Sequence, residues 1–136
     1  MARDARAERT GRLLAPRLHA DEDIVAVGSA WFARVRGGHL LFVGRHYRLV
    51  ALTDQRLLVF NRRARSRGAA VLDVTLDRLR LVHAGAPRSL YPVLLDVSGE
   101  PRALLEFRRR ERALARELVA RLRAPAPTPS APTSPS

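Results

Sequence analysis

The stretch Leu52-Thr53-Asp54-Gln55-Arg56-Leu57-Leu58-Val59-Phe60 determines which fold we expect for this chain of 136 residues. Aliphatic residues lie on both sides of Asp54-Gln55, and a short polar pair that contains Asp is typical of a tight turn. The stretch therefore predicts a strand that ends at Thr53, a turn, and an antiparallel strand from Arg56 to Asn61.

Upstream of this hairpin, the sequence predicts a long first strand that begins at Ile24. Its apolar residues alternate with other residues, as in a half-buried strand. One face of the strand carries Val25, Val27, Trp31 and Val35. We expect Trp31 and Phe60 to be buried structural residues, because each lies in an apolar strand among aliphatic positions.

Gly37-Gly38 predicts the turn that follows the first strand, because both central positions of a type I′ hairpin turn need positive φ and glycine adopts it without strain. A two-residue turn at this place would pair Arg36 with His39. Counting back along both strands, it would also pair Trp31 with Gly44.

The remaining pattern predicts a mainly β, α+β chain of about seven strands. The second strand is expected over residues 40–53, with a bend at Gly44-Arg45-His46. Later strands are expected over residues 71–76, 79–83, 91–97 and 103–107. The connections between strands are too short for parallel crossovers, so the sheet should be antiparallel.

Beyond Phe107 the pattern changes to that of a helix from about Arg109 to Arg123. Leu114, Leu118 and Leu122 recur at every fourth position and predict one apolar stripe. We expect this stripe to cap a strongly bent sheet or barrel. The charged positions expected on the solvent side are Arg110, Arg112, Arg116 and Arg121.

The length fits a single domain of residues 23–123 between two flanking segments. Residues 1–22 predict a short N-terminal helix, weakened by Pro16, and a solvated acidic turn at Asp21-Glu22-Asp23. Residues 124–136 contain only Ala, Pro, Thr and Ser, so we expect a disordered tail.

The charge balance is strongly basic, with 25 basic and 13 acidic residues and a net charge of +12. Every basic residue is Arg, since the chain contains no Lys. An anionic partner would explain this excess, and so would the drift of a GC-rich coding sequence. The excess is local: between residues 34 and 70, nine arginines face only Asp54.

Several kinds of chemistry find no support in the sequence. With no Cys, there is no thiol nucleophile, thiolate metal site or disulfide. His19, His39, His46 and His83 are scattered, and no phosphate-binding loop or nucleophile elbow occurs. We therefore expect no enzyme activity, no metal and no cofactor. No apolar segment resembles a signal peptide or a membrane span, so we expect a cytoplasmic protein that could also act at a membrane surface.

The string Leu52-Thr53-Asp54-Gln55-Arg56-Leu57 resembles the Leu-Thr-Asp-x-Arg-Leu hairpin of bacterial pleckstrin-homology-like domains. The entry at residues 13–25, with a short helix before an acidic turn, is also similar, and the resemblance covers residues 12–123. It implies a seven-stranded bent barrel with a helical cap. In lipid-binding relatives, basic residues of the first hairpin and neighbouring loops bind a phosphorylated headgroup. Here the only Trp is Trp31, whereas eukaryotic members usually carry a Trp in the terminal helix.

Three classes of function follow. We favour a protein-binding or scaffold module, which could also bind a second copy of itself. The second is peripheral binding of anionic lipid, and the third is non-specific nucleic-acid binding; no small-molecule substrate is predicted. For any anionic ligand, we expect a site built by arginines of the first hairpin and of the loop after the third strand. These candidate residues are Arg34, Arg36, Arg45, Arg48, Arg62, Arg63, Arg65 and Arg67.

Overall fold

The computed structural model shows an antiparallel sheet of seven strands, curled into a half-barrel, with one helix after the last strand. It describes residues 14–36, 41–61, 70–85 and 89–123. The strands are β1 (Ile24–Arg36), β2 (Leu41–Thr53), β3 (Arg56–Asn61), β4 (Leu72–Thr75), β5 (Leu79–Ala84), β6 (Leu90–Val97) and β7 (Arg102–Arg108). The helix α1 spans Arg112–Arg123. The fold class predicted from the sequence is confirmed.

The strand order across the sheet is β4-β3-β2-β1-β7-β6-β5. Chain neighbours pair directly, except that β7 returns to pair with β1 and a 3-10 turn at Leu76–Arg78 leads from β4 to β5. β1 is thus the central strand, flanked by β2 on one side and β7 on the other. Residues from the three strands therefore meet in rows across the middle of the sheet.

The predicted register of the first hairpin is wrong. Arg36 pairs with Leu41, so four residues join β1 and β2, whereas a Gly37-Gly38 turn would pair Arg36 with His39. Residues 37–40 themselves lie outside the described part of the chain. Farther along, the structure pairs Trp31 with Tyr47, not with Gly44.

A β-bulge adds one further residue to the difference between the predicted and the observed pairing of β1 with β2. Phe32 pairs with His46, but Arg34 pairs with Val43, so two residues of β2 lie opposite one residue of β1. The bulge falls at Gly44-Arg45, inside the segment where the sequence predicts a bend. Because of the longer connection and the bulge, Trp31 and Tyr47 become direct neighbours.

The core lies between the inner face of the sheet and α1. Phe32, Leu105 and Phe107 of the central strands are almost fully buried there, together with Leu114 and Leu118 of the helix. Leu122 packs at the margin of this cluster. The predicted helical cap is thus confirmed. Of the arginines expected to face solvent, Arg110, Arg112 and Arg116 are exposed, whereas Arg121 is half-buried and donates to Glu117.

A smaller cluster covers part of the outer face of the sheet. Leu14, just before a 3-10 turn at Ala15–Arg17, packs with Leu58 and Phe60. Phe60 is buried, as predicted. Residues 1–13, which hold most of the predicted N-terminal helix, and the predicted tail 124–136 lie outside the described residues.

Gly28 in β1 allows the chain leading into α1 to approach the sheet closely. A Cβ at this position would collide with the Glu111 carboxylate and would lie 2.8 Å from Cδ2 of Leu114. Any side chain here would have to displace the carboxylate of Glu111 and the end of the Leu114 side chain. The glycine therefore helps to set how deeply Leu114 reaches into the core.

Candidate functional site

The Asp54-Gln55 turn is organised by the side chain of Thr53. Its Oγ1 accepts hydrogen bonds from the backbone N–H groups of Gln55, at 3.1 Å, and Arg56, at 2.8 Å. The same hydroxyl lies 2.6 Å from Glu22 Oε2 and donates to it. Thr53 thus fixes the turn and joins it to the acidic segment that precedes β1.

Arg56 is the centre of a buried polar network. Its Nε and Nη2 bind both carboxylate oxygens of Glu22, at 2.9 and 2.7 Å. Nη1 binds both oxygens of Asp73 in β4, at 3.0 and 3.1 Å, and Nη2 also donates to the carbonyl oxygen of Arg17. All three guanidinium nitrogens donate to acceptors within the chain, so the side chain of Arg56 is already engaged in the network.

The acidic segment was predicted to be a solvated turn, and for Glu22 this is wrong. Glu22 is only 5% exposed, because it is the counterion of Arg56. Asp21 and Asp23 are exposed, and their backbones bind the turn after β2: Gln55 Nε2 donates to the carbonyl oxygen of Asp21, and the Asp23 N–H donates to Asp54 Oδ1.

These contacts shift the pKa values of both partners. Hydrogen bonding from Arg56 lowers the pKa of Glu22 to about 2, and this effect outweighs burial, which alone would raise it. The pKa of Arg56 is raised by the same carboxylate. Both groups therefore remain charged across the physiological range, and the network is a permanent structural ion pair.

The arginines expected to bind an anion are only partly brought together. Arg34 donates to the Pro101 carbonyl oxygen at 3.0 Å and lies 3.6 Å from Glu100. Arg48 is on the same face of β2 as the buried Val50, and its buried Nε has no hydrogen-bond partner among the residues that the structure describes. Arg45 lies on the opposite face, where its Nε donates to Glu106 at 2.9 Å.

The other candidate residues cannot be placed in the site. Arg36 pairs with Leu41 through its backbone at the end of β1, and its side chain is outside the described residues. Arg62, Arg63, Arg65 and Arg67 also lie outside them. Asn61, the last described residue before this segment, pairs with Arg48. The anion site of the eight arginines stays a prediction.

A second group of residues, which the sequence analysis missed, lies on the outer face of the central strands. We call it the Trp31–Tyr47 surface, and its members are Trp31, Arg45, Tyr47, Glu106, Arg108 and Arg110. Trp31 pairs with Tyr47 on one side and with Glu106 on the other, so one row across the sheet carries both rings and a carboxylate.

Each ring of this surface carries a guanidinium. Cζ of Arg45 lies 4.5 Å from the Trp31 ring centroid, and Cζ of Arg108 lies 4.7 Å from that of Tyr47. The two ring centroids are 5.2 Å apart. Nη2 of Arg110 reaches the Tyr47 hydroxyl at 3.5 Å, and this contact raises the pKa of Arg110. The three arginines outnumber Glu106 and the neighbouring Glu111, whose charge also acts on Arg110, so the surface keeps a positive charge.

The prediction that Trp31 is buried is therefore wrong: Trp31 is half-buried on the outer face. The aliphatic neighbours of Trp31 led to the error, because they do not show which face of β1 the helix covers. The signal in the sequence was the alternation itself. Phe32, the next residue, occupies the inner face and is 2% exposed, and neighbouring residues of a strand point to opposite faces.

Comparison of the sequence with models of protein families and with curated proteins finds no match. Within the described ranges, the structure contains no helix that is both long and apolar enough to cross a membrane.

The buried network predicts a specific loss of stability in acid. The folded-state pKa of Glu22 lies below its ordinary value of 4.5, so its ionisation stabilises the fold above pH 4.5 and that contribution falls as the pH drops towards 2. We expect this group to account for about 3 kcal/mol of the free energy of unfolding at neutral pH. Urea unfolding between pH 5 and pH 2 measures it.

The control is Glu100→Gln, which removes an exposed carboxylate near Arg34. This variant should keep the acid-induced loss of the parent, whereas Glu22→Gln should be less stable at pH 7 and should flatten the pH profile. Equal pH profiles for the parent and Glu22→Gln would contradict the role given to Glu22.

Proposed function

We propose that the chain is a non-enzymatic, pleckstrin-homology-like interaction module that binds a protein partner through the Trp31–Tyr47 surface. The Leu-Thr-Asp-x-Arg-Leu hairpin and the order of seven strands followed by one helix support the proposed family relationship. The observation that carries the proposed function is the half-buried Trp31–Tyr47 pair on the outer face of the sheet, with the guanidinium groups of Arg45 and Arg108 over its rings.

The composition of this surface favours a protein partner. Trp, Tyr and Arg are the residues that most often dominate the binding energy of protein interfaces. A surface spread over the outer face of several strands suits a macromolecule better than a small molecule, which binds best in a concave site. The face also differs from the core side of the sheet, where Phe32 and Phe107 are covered by the helix.

The surface is also ordered before a partner binds. Arg45 is held between the Trp31 ring and the Glu106 carboxylate, and Arg108 rests on the Tyr47 ring. A flexible arginine loses rotamer freedom on binding, and side chains that are already held lose less. The stacked pairs thus lower the entropic cost of forming an interface.

Site-specific photo-crosslinking in the producing cells tests this proposal. A photoreactive phenylalanine analogue is placed at Tyr47 and, as a matched control, at Val82, an exposed apolar residue of β5. We expect irradiation to link the Tyr47 variant to a discrete protein species and to give no such species with the Val82 variant. An additional Arg108→Glu substitution should reduce the yield at position 47.

Two results would count against a protein-binding surface at this place. One is the absence of any protein adduct at position 47 when the variant is folded and present in normal amount. The other is the same adduct pattern at positions 47 and 82, which would indicate collision without a specific interface.

A second candidate function is binding of anionic lipid headgroups at Arg48, which pairs with Asn61 at the end of β3. The observation in its favour is the buried Nε of Arg48, for which the described residues supply no hydrogen-bond acceptor. A buried donor without an acceptor is costly, and a phosphate oxygen could satisfy it. Arg34 contributes less to this candidate, because Pro101 and Glu100 already engage its guanidinium.

Flotation with phosphatidylserine vesicles tests the lipid candidate. At roughly 0.15 M salt, Arg48→Gln should lower the bound fraction clearly, whereas Arg116→Gln on the exposed side of α1 should not, if Arg48 belongs to a site. Equal losses for both variants would show that binding depends only on net charge. If the parent does not float with the vesicles, the lipid candidate is rejected.

A further inference from the structure

We infer that the partner of the Trp31–Tyr47 surface presents acidic side chains, and that Glu106 occupies the place of one of them in the free chain. This inference rests on the proposed function and adds the chemistry of the partner. The contacts of Arg45, Arg108 and Glu106 carry it.

Glu106 shows which ligand this surface accepts. Its carboxylate lies 2.9 Å from Nε of Arg45, while the Arg45 guanidinium lies on the Trp31 ring. Of the described residues, only Glu106 accepts a hydrogen bond from Arg45, and only through Nε. The terminal nitrogens of Arg45 are thus left for an external acceptor. A carboxylate from a partner could bind this guanidinium through two parallel hydrogen bonds, which the internal contact does not achieve.

Arg108 is the second anchor, and it has no internal counterion in the described part of the chain. It is exposed and lies on the Tyr47 ring, and no described carboxylate oxygen is within 4.0 Å of its nitrogens. With Cζ of Arg108 over the ring, the N–H groups of the exposed guanidinium can reach an acceptor outside the chain. An acidic group from outside would complete this position.

The charge of the surface and the ring area it leaves uncovered distinguish between the other macromolecules that could bind it. A second copy in a symmetric dimer would bring the same positive surface against itself, which like charges oppose. Single-stranded nucleic acid binds largely by stacking its bases on open aromatic faces. Here guanidinium groups already cover one face of each ring, so the surface offers N–H groups more than ring area. These features favour an acidic protein segment.

The single Trp of the chain lies within this surface, so its fluorescence reports binding at this place. The probe is a peptide of alternating Glu and Ser without aromatic residues, titrated at about 0.15 M salt; a Gln-Ser peptide is the uncharged control. We expect the acidic peptide to change Trp31 emission saturably and the Gln-Ser peptide to leave it unchanged.

Charge variants then locate the interaction. Arg108→Gln should weaken binding about tenfold, the loss expected for one charge-assisted hydrogen bond. Glu106→Gln should strengthen binding, because it removes the internal competitor for Arg45. Arg116→Gln, a matched loss of charge on the exposed side of α1, should leave the affinity unchanged. Thermal unfolding of each variant verifies that the fold is retained.

The inference is overturned if Glu106→Gln fails to strengthen binding, or if Arg116→Gln weakens it as much as Arg108→Gln does. It is also overturned if an oligouridylate binds with the same residue dependence while the acidic peptide does not. If the peptide fails but crosslinking at position 47 succeeds, the protein-binding surface stands and only its acidic partner is rejected. If both fail, the proposed function falls as well.

Discussion

The ion pair between Arg56 and Glu22 is the contact on which the arrangement of this sheet depends. Through its guanidinium, Arg56 in β3 binds the turn before β1, the carbonyl oxygen of Arg17 and the carboxylate of Asp73 in β4. A buried ion pair stabilises a fold only when its remaining donors and acceptors are satisfied. Here the Thr53 hydroxyl and the His19 N–H also donate to Glu22, so both of its carboxylate oxygens have donors besides Arg56. This network fixes one end of the half-barrel.

Because the side chains at this end of the half-barrel bind one another, we expect contacts with other molecules elsewhere on the sheet. The network already engages Arg56, the arginine of the Leu-Thr-Asp-x-Arg-Leu string, so this residue is not a candidate for ligand binding. The long β1–β2 pair extends past β3, whose last residue pairs with Arg48, and its outer face carries Trp31 and Tyr47. The candidate surface therefore lies on the central strands of the sheet. Pairing with β7 and packing against the helix hold these strands in place.

The sequence was sufficient to predict the elements, but several of their partners depend on tertiary structure. Alternation and turn residues predicted the strands, and the fourfold spacing of Leu114, Leu118 and Leu122 predicted the helix. The register of β1 and β2 failed, because a four-residue connection and a bulge at Gly44-Arg45 leave no unambiguous local pattern. That error concealed Trp31 beside Tyr47. The role of Glu22 was also missed, since its partner Arg56 lies 34 positions away in the chain.

A double-mutant cycle on Arg56 and Glu22 tests most directly whether this network holds the fold. Urea unfolding at pH 7 compares the parent with Arg56→Met, Glu22→Leu and the double variant. Arg56→Met leaves the buried Glu22 carboxylate without its counterion and should cost about 3 to 5 kcal/mol. Glu22→Leu leaves Arg56 with only Asp73 as a counterion among the described residues and should cost less. The double variant leaves no buried charge unpaired, so its loss should fall short of the sum of the single losses by about 2 kcal/mol or more. Strictly additive losses, or an Arg56→Met protein as stable as the parent, would contradict the central place given to this ion pair.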